Sequence, residues 1–233
     1  MSPRPGIIIV RSGIISDDLT VETFSKWYEE IHIPDVLATA GVKAAARYQQ
    51  STSAQPGTLP YLAVYNLDDL NWLHQDACEF WKIPLHSNVL PNDKQTVFTW
   101  AKFETEFYAK VETSDGDVDQ DDTSIPTGDS LLAVWWERTP SHSADYAKVI
   151  IKTLKRNLAD FGVQGEPRLT LFKADESGIC PPAMRNGQSD SKGEARTPSL
   201  TKYLCLVCTA PRWPKRHCTL LQTTLTLCVP DQL

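Results

Sequence analysis

No stretch of the 233-residue chain approaches the roughly 18 consecutive apolar residues that a membrane-spanning helix requires. The opening MSPRPGIIIVRSG holds an apolar run too short for the core of a signal peptide, so a cytoplasmic protein with no membrane partner is expected. Basic clusters are scarce as well. The formal net charge is −6 and the pI is near 5.4, and the one dense basic run is RWPKR, Arg212 to Arg216. A nucleic-acid groove needs grouped Lys and Arg to displace counterions from phosphates, so no nucleic-acid partner is expected.

Metal ligands at a useful spacing are missing too. The chain has six cysteines (Cys78, Cys180, Cys205, Cys208, Cys218 and Cys228), which in a reducing compartment are thiols. Cys205 and Cys208 form a CxxC, but inside the strand-like KYLCLVCTA. Strand residues three apart point to opposite faces and are poorly placed to hold one ion. A D-x-D-x-D spacing starts at Asp115, yet Gln120 stands where a calcium loop needs its turn glycine and Pro126 where it needs its bidentate Glu. Also absent are G-x-S-x-G, the Walker A sequence, GxGxxG and H-E-x-x-H, so nucleotide, nicotinamide and zinc-protease chemistries drop out. No metal is expected.

What is present is an amphipathic, globular pattern: 41% hydrophobic residues and 22% charged. A β-branched run, Ile7 to Val10, is followed by a helix capped by Thr20 or Asp18, with Phe24, Trp27, Tyr28 and Ile31 on one face. Pro34 ends or kinks that helix near Ile33, or opens a short second one that stops before Gly41. VKAAARYQQST and PYLAVYNL read as a hairpin, DLNWLHQDACEFWK as a helix, and TVFTWAKFETEFYAKV as a long strand. The order β-α-β-β-α-β is that of a ferredoxin-like unit over residues 1–111.

Residues 112–128 are acidic and nearly free of apolar side chains, the composition of a linker. Residues 129–233 then begin the pattern again: SLLAVWWER, a helix in SADYAKVIIKTLKRNLADFG, and the strands PRLTLFKAD and TKYLCLVCTA. A helix and a closing strand should follow. The tail PRWPKRHCTLLQTTLTLCVPDQL instead opens with two prolines and reads more as strand. The second unit is therefore incomplete, either as a genuine variant or through a misplaced splice junction in the gene model.

His32 lies at the edge of the apolar stripe, where an imidazole reaches a cavity beside the core and its ordinary pKa near 6.5 suits proton transfer. The competing placement is a helix-end histidine bonding the last carbonyls or facing water. Asp35, three residues on, orients His32 if the helix survives Pro34 and otherwise acts as a cap. Arg47 and Tyr48 are neighbours on a strand, so only one faces the helices. Tyr48, with Ala44 and Ala46 leaving space beside it, is the expected one, and Arg47 then faces a barrel partner or solvent unless a bulge turns it. Trp81 offers a flat wall for stacking, His86 lies in a loop over the mouth, and His74 is expected in water. His142 and His217 have no nameable partners.

The pattern F-x-x-W-Y-x-x-x-H-I-P-D, carried by Phe24, Trp27, Tyr28, His32, Ile33, Pro34 and Asp35 and followed by Arg47 and Tyr48, resembles the EthD-like branch of the dimeric α+β barrel superfamily. The similarity is greatest to fungal members with two repeats per chain. It covers residues 1 to about 110 well, 129 to 210 weakly, and the last 23 residues not at all. The resemblance implies an α+β fold in which tandem ferredoxin-like units form the barrel internally, or a homodimer where a missing strand leaves an edge. It implies a cofactor-independent oxidoreductase or lyase/cyclase of secondary metabolism, acting on an aromatic or polyketide-like small molecule by proton abstraction that leads to oxygenation, decarboxylation or cyclisation. His32, Tyr48 and Asp35 would then be catalytic, and Tyr28, Arg47, Trp81 and His86 substrate-binding. Two alternatives stand beside it: a non-catalytic small-molecule carrier or structural barrel, and haem bound through His32.

Overall fold

A computed structural model describes residues 2–50, 59–111, 130–138, 149, 151–156, 168–175, 177, 179, 201–209 and 219–222. The acidic linker, His142, His217 and most of the tail lie outside the described residues.

The apolar run near the N-terminus forms β1 (Gly6–Ile14), which is buried on both faces. Ile7 and Ile9 point one way, into the space enclosed by the sheet, while Ile8 and Val10 point the other way, against helices. Such double burial is why the segment reads as a continuous apolar run rather than an alternating one. β3 (Tyr61–Leu67) is likewise buried at every position. Along the chain between them come α1 (Val21–Trp27), a π-helical turn (Tyr28–His32), α2 (Ile33–Leu37) and β2 (Val42–Gln50). β4 (Ala101–Lys110), β5 (Ser130–Arg138), a helical segment at residues 151–156, β6 (Arg168–Ala174), β7 (Thr201–Thr209) and β8 (Thr219–Gln222) complete the described elements.

The eight strands pair in the cyclic order β1-β3-β2-β8-β5-β7-β6-β4, a closed barrel. All pairings are antiparallel except those of β8, which runs parallel to both β2 and β5. The fold is thus a mostly antiparallel α+β barrel. Two seams join its halves: Gln49 and Gln50 opposite Thr219 and Leu220, and Tyr108 to Lys110 opposite Ala174 to Phe172.

The strand order β4-β1-β3-β2 recurs as β8-β5-β7-β6, but β8 fills the fourth position running backwards. Connection length explains the reversal. Between β3 and β4 the chain has 33 residues, enough to return along the barrel and enter parallel to β3; between β7 and β8 it has only nine, 210–218. A short connection that hops over one neighbouring strand delivers the next strand antiparallel to the one it left.

Two expectations need correction. DLNWLHQDACEFWK is not one α-helix but two 3₁₀ turns, Leu70–His74 and Glu79–Lys82. The indole of Trp81 donates to the Leu73 carbonyl at 2.9 Å, taking an acceptor that an α-helix would use for its own ladder. The last strand of the first half begins at Ala101 rather than Thr96, because Val97–Thr99 forms a further 3₁₀ turn.

One close approach depends on a glycine. Gly41, in the turn before β2, lies against the Trp72 ring so closely that a β-carbon there would overlap it. This contact packs the first 3₁₀ turn onto the start of β2.

Candidate functional site

α1 opens where Thr20, in extended conformation, accepts a hydrogen bond from the Thr23 amide at 3.1 Å. Its buried residues Phe24 and Trp27 pack on the outer face of the sheet. The helix then widens rather than stopping: the Ile33 amide donates to the Tyr28 carbonyl, five residues back. Pro34 explains this, since it has no N–H to give Glu30 and its ring would clash with the Glu30 carbonyl in a tight α-turn. The backbone stays in the right-handed helical region through His32 and Ile33, and Pro34 sits in the first turn of α2.

The π turn re-aims His32. In an α-helix, residues five apart lie about 140° apart around the axis; the wider turn brings them closer together. The imidazole therefore stacks on Trp27, ring centroids 4.8 Å apart and planes 13° from parallel, and meets Tyr28 edge-on at 5.3 Å. Tyr28 is a hub, with Phe24, Trp27, His32 and Phe103 all within 6.4 Å. Phe98, half exposed, covers the edge of Phe103 at 5.4 Å.

From the sheet, Arg47 reaches into this aromatic shell. Its guanidinium carbon lies 4.6 Å from the Tyr61 ring, 4.8 Å from Tyr28 and 5.4 Å from Phe24, so its charge is held by three π faces. One nitrogen, Nη1, donates to the Glu29 carboxylate at 2.6 Å and to the Ser25 hydroxyl at 3.3 Å. Deeper in, the Tyr65 hydroxyl donates to the Tyr28 hydroxyl at 3.3 Å.

Burial sets the electrostatics. Desolvation pushes the Tyr28 hydroxyl up to about 12, against the smaller opposing effects of the Tyr65 hydrogen bond and the Arg47 charge, and it raises Tyr61 and Tyr65 as well. These phenols stay protonated at neutral pH. Desolvation lowers His32 to about 4, so its ring is neutral. Around the same hub, four buried nitrogens have no hydrogen-bond partner among the described residues: Trp27 Nε1, His32 Nδ1, and Arg47 Nε and Nη2. Leaving a buried donor or acceptor unpaired costs about 1–3 kcal/mol, and such groups are few in folded proteins.

Of the expected site residues, the structure brings together His32, Tyr28 and Arg47. Tyr48 does not join them. The β-bulge between Val42 and Ala44 shifts the alternation of β2 by one residue. Val42, before it, faces the helices; after it, Ala44, Ala46 and Tyr48 face the barrel interior, and Ala45 and Arg47 take the helix face. Asp35 is exposed on α2 and forms no hydrogen bond to His32 among the described residues, so it does not orient the ring. Trp81 lies on the helix side but packs against Phe80 and Phe107. His86 is exposed. His74, expected in water, meets the Ser177 hydroxyl at 2.8 Å. Among the described residues no group of His, Cys, Asp and Glu is placed to hold a metal, and Cys205 is buried in the core on the far side of β7.

Sequence reading missed Trp27 as a polar participant and Tyr65 altogether. Tyr61, Ala63 and Tyr65 do alternate onto one face of β3, a signal that pointed to the site once Arg47 was known to share that face. Compared with known proteins, the chain matches no family model and no curated protein sequence.

Proposed function

We propose that the chain is a cofactor-independent enzyme that abstracts a proton from an aromatic or polyketide-like small molecule, at the cluster of Trp27, Tyr28, His32, Arg47 and Tyr65. The observation that carries this reading is the cluster of unpaired nitrogens inside an aromatic shell. A flat guest stacks against such rings, and its carbonyl or phenolic oxygens supply the acceptors that Trp27 Nε1 and Arg47 lack. The Arg47 charge then stabilises the enolate or phenolate that follows loss of a proton. His32 is neutral at working pH and has a lone pair to offer; the anion formed beside it raises its basicity by Coulomb attraction.

The same reading takes the chain as a tandem ferredoxin-like protein of the EthD-like branch of dimeric α+β barrels. The recurring strand order supports two units per chain, the second closing on a reversed strand. Oxygenation, decarboxylation and cyclisation all start from the same carbanion, and the cluster favours none of them.

A second reading, a non-catalytic carrier of the same ligands, draws on the weak basicity of the buried His32. Hydrogen–deuterium exchange at the α-carbon of an aryl 1,3-diketone separates the two. In D₂O at pH 7 the wild type accelerates exchange, and His32→Ala loses at least about 100-fold of that acceleration. Diketone bound by the wild type without faster exchange establishes the carrier.

A further inference from the structure

A long cationic side chain ordinarily runs its stem along apolar surface and sends its charged head to water. Arg47 does the reverse. Its side chain is only 9% exposed, and its guanidinium sits among the rings of Phe24, Tyr28 and Tyr61. Two of its three nitrogens, Nε and Nη2, are buried without a hydrogen-bond partner among the described residues. They share one edge of the planar group, the fork that meets two oxygens at once. The ring contacts favour this placement and the unsatisfied edge opposes it, so the guanidinium is close to balanced between the shell and water.

The third nitrogen tips that balance. Nη1 donates to the Glu29 carboxylate at 2.6 Å and to the Ser25 hydroxyl at 3.3 Å. Helical period supplies this arrangement: Phe24 and Tyr28 are four residues apart, and so are Ser25 and Glu29, so two neighbouring rows run from α1 into the π turn. The guanidinium lies over the buried rings of one row, and the polar row meets its outer end. Glu29 is 58% exposed, so its side chain adds little to the packing of the fold. Glu30, beside it on the same turn, is also exposed and makes no ion pair with Arg47 among the described residues.

We propose that Glu29, aided by Ser25, is a positioning residue: it anchors Nη1 at the rim and so holds the Nε–Nη2 edge of Arg47 turned into the aromatic shell. Glu29 itself touches no reacting atom. The kinetic consequence rests on reading this cluster as a site of proton abstraction. The enolate of a 1,3-dicarbonyl spreads one negative charge over two oxygens in one plane, which an inward Nε–Nη2 edge meets together; the neutral diketone carries no such charge. The edge therefore favours the enolate over the substrate, and losing it lowers turnover rather than binding.

The anchor is read first without any ligand. In the full chain labelled with ¹⁵N-arginine, the Arg47 Nε–H resonance is assigned by its disappearance in Arg47→Met. Glu29→Ala is expected to speed its exchange with water about fivefold, the factor that loss of a partly exposed ion pair implies, and to move it toward the resonances of solvent-exposed arginines. Glu30→Ala leaves it in place. Deuterium exchange of the aryl 1,3-diketone is read second. Glu29→Ala lowers the rate at saturation about fivefold with little change in the half-saturating concentration, and Glu29→Gln, which keeps an oxygen for Nη1, recovers part of the loss. An Arg47 resonance unmoved in Glu29→Ala, or moved as far by Glu30→Ala, overturns the proposal. So does a wild type that accelerates exchange together with a Glu29→Ala variant that matches it at saturation. A wild type without acceleration defeats the enzyme reading instead, and the Arg47 resonance in Glu29→Ala then decides alone whether Glu29 holds the guanidinium.

Discussion

Replacing Arg47 by Met separates a site built for a guest from one built for stability. Met keeps much of the unbranched stem and its packing but removes the charge. The losses are the ion pair with Glu29, the long hydrogen bond to Ser25, worth at most about 1 kcal/mol, and the three ring contacts. Glu29 is 58% exposed, so the pair contributes at most about 1 kcal/mol; the cation–π contacts of a largely buried guanidinium add about 2 kcal/mol. The gain is removal of two buried, unpaired nitrogens, Nε and Nη2, which cost about 1–3 kcal/mol each. The net is near zero or favourable, so Arg47→Met should unfold in urea with a free energy equal to wild type or higher by up to about 2 kcal/mol, and with no fall in Tm. The same variant should lose deuterium exchange on the diketone. A fall of 2 kcal/mol or more would mean that the guanidinium is satisfied in the free protein and would refute the reasoning.

Three other expectations follow from the same geometry. Because burial lowers His32 from 6.5 to about 4, the unfolded chain binds more protons than the folded one between those values, so stability falls as pH drops from 6.5 toward 4, by about 3 kcal/mol in all; His32→Phe should lose less than wild type over that window in parallel urea titrations. Gly41→Ala should destabilise by about 1–3 kcal/mol as its β-carbon displaces the Trp72 ring, read as a lowered urea midpoint; an unchanged midpoint would remove this contact from the packing. Tyr65→Phe takes the donor from the buried Tyr28 hydroxyl and should cost about 1 kcal/mol, with an unperturbed midpoint counting against that hydrogen bond.

The strands were legible because their apolar content is strong and local: GIIIV, YLAVYNL and TKYLCLVCTA each became a strand of the barrel. The helix bearing Phe24, Trp27 and Tyr28 was legible from its stripe and from Thr20. The second helix was not, since a side chain from outside the local ladder, Trp81, claims the Leu73 carbonyl, a tertiary event that periodicity cannot register. The site was half legible. His32 emerged from its place beside the stripe, but its direction depends on a π turn whose one sequence trace is Pro34. The exchange of Arg47 for Tyr48 turns on a bulge between Val42 and Ala44, in a strand whose alanines leave the two phases nearly equivalent. The reversed β8 follows from a connection length that was visible, joined to a strand order that was not.

The account rests on His32 being held, neutral and without a partner at Nδ1, inside the aromatic shell. Titrating the imidazole of His32 by ¹H–¹⁵N NMR, assigned with His32→Phe, measures this directly. The free protein should show an apparent pKa near 4, rising when an anionic phenol ligand binds. A value near 6.5 in the free protein, unmoved by ligand, would put the ring in water and contradict the account.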